Sequence, residues 1–156
     1  MTDSTASIIA SHELFADLEP RFIETLAEYA SKRDVRAGEN LFTQGQPATT
    51  FYLSLSGTII VETPAIMGPS LELQSLGEGR ILGWSWLIPP YKWHFQARAE
   101  EDSTVLEFDG TRLLQICEQD TAFGYQLLKR FASLMGDRLE NARRRMMDAW
   151  NPSGFA

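Results

Sequence analysis

Cysteine is nearly absent from this chain. A single residue in 156, Cys117, excludes an internal disulfide framework and a multi-cysteine metal site. It lies among Leu113, Leu114 and Ile116, where a buried, inert thiol is expected. Histidine is almost as scarce, with only His12 and His94. Positive charge is in deficit: 14 Lys and Arg face 21 Asp and Glu, for a net charge of −7. Phosphate neutralisation needs a basic surplus on one face, so no nucleic-acid partner is expected. The one basic cluster, Arg143-Arg144-Arg145, reads as a solvated helix face. No apolar run approaches the roughly 18 residues that span a bilayer. The opening segment, Met1 to Ala10, carries an acidic residue and no basic one, unlike a secretory signal. No membrane partner is expected, and cytoplasmic residence is the expectation.

What the chain does contain is sufficient for one core. It is 44% hydrophobic and 22% charged, within the range of globular domains. Residues 1–31 read as helical, with the domain's N-terminal helices placed at 12–31: Pro20 suits a first turn, and Phe22, Ile23, Leu26 and Ala30 fall at helical spacing. Residues 33–109 read as short strands. Phe51, Leu53 and Leu55 alternate with Tyr52 and Ser54, and Ser56-Gly57 turns the chain into Thr58-Ile59-Ile60-Val61. Leu71 and Leu73, and later Thr104, Leu106 and Phe108, repeat the alternation. Turn signals recur at Gly38, Gly45, Gly57 and Gly79. Many short strands without intervening helices indicate antiparallel pairing.

Residues 111–150 return to helix: a short one from Thr111 to about Glu118, then a long one from about Ala122 to Trp150. The long helix measures about 40 Å at 1.5 Å per residue. Leu128, Met135, Ala142 and Ala149 recur every seven residues, with Phe131, Leu139 and Met146 beside them. That is a coiled-coil-like seam. A roll about 30 Å across cannot cover so long a stripe, so a homodimer held by Leu128, Phe131, Met135, Leu139, Ala142 and Met146 is expected. Asn151-Pro152-Ser153-Gly154 is expected to end the helix. The fold class is α+β: one domain over residues 1–156, a jelly-roll-like antiparallel β-roll flanked by N-terminal helices and closed by a long C-terminal dimerisation helix.

Two stretches carry a family resemblance. Val35-Arg36-Ala37-Gly38-Glu39-Asn40-Leu41-Phe42-Thr43-Gln44-Gly45-Gln46-Pro47-Ala48 resembles the opening strands of the cyclic-nucleotide-binding domain family. Phe51-Tyr52-Leu53-Ser54-Leu55-Ser56-Gly57-Thr58-Ile59-Ile60-Val61 is similar to the family's strand, turn glycine and second strand. The resemblance covers about residues 13–150. It implies a phosphate-binding cassette beginning at Gly79-Arg80-Ile81-Leu82-Gly83 and a following strand Ser103–Asp109. It also implies that the last helix is the dimer helix of catabolite-activator-type regulators.

The same resemblance implies a glutamate after the cassette glycine, for the ribose 2′-hydroxyl, and a later arginine for the cyclic phosphate. Here Gly83 is followed by Trp84, and Trp93 falls at the arginine's place. Lys92 is one residue off, and Arg98 falls inside a strand. Lysine lacks arginine's fork. Losing both anchors would weaken binding by a factor of roughly a thousand or more, so cyclic-nucleotide binding in the family's usual mode is not expected. Aromatics stand there instead: Trp84, Trp86, Tyr91, Trp93 and Phe95, with His94 among them, hold three of the four tryptophans. Such a cluster either lines a pocket for a small molecule or plugs the vacated site. The candidate ligand-binding residues are Gly83, Trp84, Ser85, Trp86, Leu87, Tyr91, Lys92, Trp93, His94 and Phe95.

Catalysis finds no constellation. Gly83-Trp84-Ser85-Trp86 begins like a nucleophile elbow, but Leu87 stands where the second glycine belongs. His94 has no companion for a cupin-type metal site, and it reads as a packing residue rather than a haem ligand. No enzyme, no metal and no cofactor are expected. Through Ala156 no DNA-reading helix-turn-helix follows the long helix, so output is expected to pass through a protein partner or the dimer. The reading is a regulatory or sensory domain. Its alternatives are a ligand-free interaction module and a weak cyclic-nucleotide binder using backbone amides at Gly83–Trp86 and Lys92.

Overall fold

The computed structural model describes residues 4–64, 67 and 70–150. Two helices open it, α1 (Thr5–Ser11) and α2 (Pro20–Glu28). Pro20 takes the first turn of α2, where a missing N–H costs nothing, and Phe22, Ile23 and Leu26 form its buried stripe. Eight strands follow: β1 (Ala30–Val35), β2 (Asn40–Phe42), β3 (Thr50–Ser56), β4 (Ile59–Thr63), β5 (Leu71–Leu76), β6 (Ile81–Leu82), β7 (Gln96–Ala99) and β8 (Ser103–Asp109). A short 3₁₀ turn, Ser85–Leu87, sits between β6 and β7. The chain closes with α3 (Gly110–Gln119) and α4 (Thr121–Trp150).

The strands form two four-stranded sheets, ordered β1-β8-β3-β6 and β2-β7-β4-β5, with every pairing antiparallel. The α+β roll expected from the glycine-punctuated strands is the observed class. The N-terminal boundaries differ: the helices placed at 12–31 are α1 at Thr5–Ser11 and α2 at Pro20–Glu28, with turns over residues 12–18 between them. Residues 30 and 31, read as helical, begin β1, because Ala30 and Ser31 pair with Phe108 and Glu107 of β8. The Asp109 N–H donates to the Tyr29 carbonyl just before, at 2.8 Å. Tertiary pairing overrides helical spacing there. Gly38, Gly45 and Gly57 have φ of 87°, 89° and 86°, the left-handed turn geometry expected of them. The helix-ending segment after Trp150 lies outside the described residues.

The first sheet is covered on both faces. Successive side chains of a strand point to opposite sides, so Phe51 and Leu53 of β3 join the helices, while Tyr52 between them enters the roll. β8 divides in the same way, Leu106 and Phe108 against Val105, as does β6, Ile81 against Leu82. On the helical side the core centres on Phe51. Its ring stacks on Phe108 at 4.3 Å and on Trp86 at 4.8 Å, and it meets Phe131 of α4 edge-on at 5.0 Å. Asp109 caps α3 by accepting from the Arg112 N–H at 3.1 Å, and Asp120 caps α4 through the Phe123 N–H at 3.2 Å.

Two expectations follow from this packing. Truncating Trp86 or Phe131 to alanine should each cost about 3–5 kcal/mol in urea melts, the range for a fully buried large aromatic; losses under about 1 kcal/mol would show that the rings do not share a core. Burial pushes the Cys117 thiol up to about 11, which keeps the thiolate scarce at neutral pH. Native protein at pH 8 should therefore react with an aromatic disulfide reagent at least about tenfold more slowly than unfolded protein.

Candidate functional site

The cassette region starts from β6, turns at Gly83 and returns to β7. Gly83 has φ of +103°, a conformation that side chains rarely adopt. Its missing Cβ matters as much: a Cβ there would lie 2.9 Å from the Trp93 ring. Glycine therefore lets an indole rest against the backbone of the cassette.

Trp93 is 3% exposed and faces the roll interior. Its ring lies parallel to Phe42 with centroids 3.6 Å apart, and Phe42 in turn contacts Tyr52 at 6.1 Å and Phe95 at 5.7 Å. The segment is stitched to the β2–β3 loop. Trp93 N–H donates to the Gln46 carbonyl at 3.0 Å, Gly45 N–H to the Trp93 carbonyl at 2.9 Å, and Ala48 N–H to the Tyr91 carbonyl at 2.7 Å. Burial raises the Tyr52 phenol above its ordinary value, so the hydroxyl stays neutral and accepts from Thr50 Oγ1 at 2.9 Å.

The candidate ligand-binding residues do not form one cluster. Trp86 and the half-buried Leu87 pack on the helical side of the first sheet, with Phe51 and Phe131. Trp86 is corrected as a pocket residue: its ring belongs to the core beneath the helices. Ser85 is buried and its Oγ, like Trp86 Nε1, finds no hydrogen-bond partner among the described residues. Trp93 and Phe95 belong to the roll. Trp84 is half-buried and stacks on the exposed His94 at 5.7 Å. Tyr91 and Lys92 are exposed, and Tyr91 holds a φ of 57°. Among the described residues, no three His, Cys, Asp or Glu side chains gather as metal ligands.

Arg98 is committed elsewhere. In β7 it points away from the roll, since its neighbours Ala97 and Ala99 fill the interior face. Its Nε donates to Glu62 Oε1 at 3.1 Å, and Gln96 Nε2 donates to the same oxygen at 2.9 Å. These two donors, Arg98 foremost, hold the Glu62 carboxyl below its ordinary value. The buried apolar cluster of the roll includes the Tyr52 phenol, and strand alternation places the buried Ser54 and Ser103 on the same face as Tyr52 and Val105. Phe42 and Tyr52 complete the aromatic filling; both stand in the motif stretches, but nothing in their local spacing marks them as partners of a tryptophan some fifty residues on.

On α4, Leu128, Leu139, Ala142 and Met146 are exposed and Met135 is half-buried. Phe131 is corrected as an interface residue: it is fully buried against Phe51 and Trp86 of its own chain. The helix is held along its own roll by polar contacts, Arg138 Nη2 donating to the Ile81 carbonyl and Arg145 Nη1 to the Leu73 carbonyl.

Comparison with known proteins agrees with this architecture. Residues 32–120, more than half the chain, match the family described as cyclic nucleotide-binding domain. A candidate cyclic nucleotide-binding protein from Geobacter metallireducens is 25% identical, with a TM-score of 0.78 over 88% of this chain and 99% of that one. A cyclic nucleotide-binding-like protein from Brucella abortus is 28% identical, with a TM-score of 0.61 over 74% and 99%. The catabolite activator protein of Thermus thermophilus shares the fold at 24% identity and a TM-score of 0.69, over 85% of this chain and 61% of its own. No curated protein matches the chain. With two antiparallel sheets, a cassette turn at Gly83 and a long closing helix, the chain belongs to the cyclic nucleotide-binding domain family.

Proposed function

We propose that this chain is a non-catalytic regulatory module whose roll is filled by its own aromatic side chains instead of a cyclic nucleotide, and which works as a homodimer through α4. The observation that carries the first half is the Trp93 ring, buried against Phe42 at 3.6 Å and seated over Gly83. A cyclic phosphate entering there would displace a fully buried indole and meet no cation. The nearest arginine in β7, Arg98, faces outward onto Glu62. Opening the site would forfeit roughly 3–5 kcal/mol of aromatic burial before any contact with a ligand forms. Trp84, in the place of the ribose-binding glutamate, offers no acceptor to a hydroxyl.

The second half rests on α4. Leu139 and Met146 are 72% and 71% exposed in the single chain, and Leu128, Met147 and Trp150 are exposed with them. Arginines, not these apolar residues, hold the helix to its own roll. Apolar surface left outward on a helix pinned by polar contacts suits a second copy of the same helix. Output then passes through the dimer or a protein docked on it.

Calorimetry tests the filled roll. cAMP and cGMP should bind no tighter than about 100 μM, and a micromolar constant for either would sink the proposal. Analytical ultracentrifugation tests the dimer. Wild-type protein should sediment as a dimer at micromolar concentration, and Leu139→Asp with Met146→Asp should give folded monomers, because paired buried carboxylates are costly. A monomeric wild type would retire α4 as an interface.

A further inference from the structure

The chain is acidic, with a net charge of −7, yet it collects cations along one groove outside the roll. The groove is walled by the segment after α1, by the turn entering β6 and by α4. Its upper part encloses ≈ 530 Å³, and a second hollow of ≈ 390 Å³ continues it. The two share Glu13, Arg80, Leu134 and Asp137 in their walls, so they are one cleft. His12 ties the N-terminal wall to the turn: its Nε2 donates to the Gly79 carbonyl at 2.6 Å, while its Nδ1 accepts from the Leu14 N–H.

Arg80, Lys129, Arg130 and Arg138 border this cleft. Among the described residues, Arg80, Lys129 and Arg138 form no ion pair, and Arg130 reaches only the exposed Asp17, at 3.5 Å. Arg138 is largely withdrawn from water. It spends one donor on the Ile81 carbonyl, and its buried Nε has no partner, as is also true of Arg130 Nε. Burial, and then the neighbouring charge of Arg80, pull the Arg138 guanidinium down to about 10. A cation desolvated without a carboxylate, beside a second cation, is unfavourable unless an anion joins it. Glu13 and Asp137 also border the cleft without pairing to these cations, and Glu140 borders it paired with Arg143 and Arg144; these carboxylates hold the expected affinity to the millimolar range.

We propose that the cleft between Arg80 and Arg138 binds a small phosphate-type oxyanion, either inorganic phosphate or the head of a phosphorylated metabolite. Arg80, which forms no ion pair, beside Arg138, which keeps donors beyond the one given to Ile81, supplies the charge and N–H groups that phosphate recognition uses. The site is separate from the roll interior. Its position is also suited to coupling, since Arg80 lies just before Gly83 and Arg138 lies on the helix that leaves Leu139 and Met146 exposed.

Thermal melts of the full chain, with inorganic phosphate or glycerol 3-phosphate against sodium chloride at equal ionic strength, test it. At 10 mM ligand the midpoint should rise by about 3 °C or more over the chloride control. The larger rise identifies the source: free phosphate, or a phosphomonoester. Arg80→Gln and Arg138→Gln should each abolish the rise. Arg80 is exposed and forms no side-chain hydrogen bond or ion pair among the described residues, so its variant keeps the test valid if Arg138→Gln unfolds. No rise with either anion, or a rise that persists undiminished in Arg80→Gln, would overturn the proposal.

Discussion

Everything in this molecule hangs on one sheet being buried from both sides. In β3, Phe51 and Leu53 belong to the helices while Tyr52 belongs to the roll, and no residue of that run can be moved by one position without exchanging the two cores. The same constraint passes to β8 and β6 through pairing. It fixes where α4 can lie, because Phe131 must reach Phe51, and where the cassette begins, because Leu82 must enter the roll just before Gly83 turns the chain.

From that frame the cassette acquires its character. A turn that places a glycine against a cavity can be filled by a ligand from outside or by a side chain from within. In this chain the filling comes from Trp93, sandwiched with Phe42 and bounded by Tyr52 and Phe95. An aromatic side chain supplied by the chain itself loses no translational freedom on packing, whereas a ligand from outside does. The arginine of β7 is turned outward onto Glu62, and the cations of this acidic chain gather in the cleft beside α4.

The long helix shows how a polar contact can leave an apolar surface free. Arg138 and Arg145 reach carbonyls of the roll, satisfying acceptors at the edges of β6 and β5. These long arginine side chains tether the distal half of the helix, while Leu139 and Met146 stay exposed. The proximal part behaves differently, since Phe131 and Leu127 are buried in the domain's own core.

The strands, their turns and the two closing helices were legible in the sequence because each depends on local periodicity. Alternation at residues 51–55, glycines at 38, 45 and 57, and the seven-residue recurrence from Leu128 are properties of neighbours along the chain. The family resemblance was legible for the same reason, in stretches whose spacing is itself local. The fate of the aromatic residues was not. Trp86 and Trp93 stand seven positions apart in one aromatic run, yet one packs beneath the helices and the other inside the roll. Phe131 shares its stripe with Leu128 and Met135, yet it points into its own domain. Composition says how much apolar surface a segment must hide, but the partner that hides it comes from distant positions: Phe42 for Trp93, Phe51 for Trp86 and Phe131. Only the folded sheet, with two faces to fill, decides which.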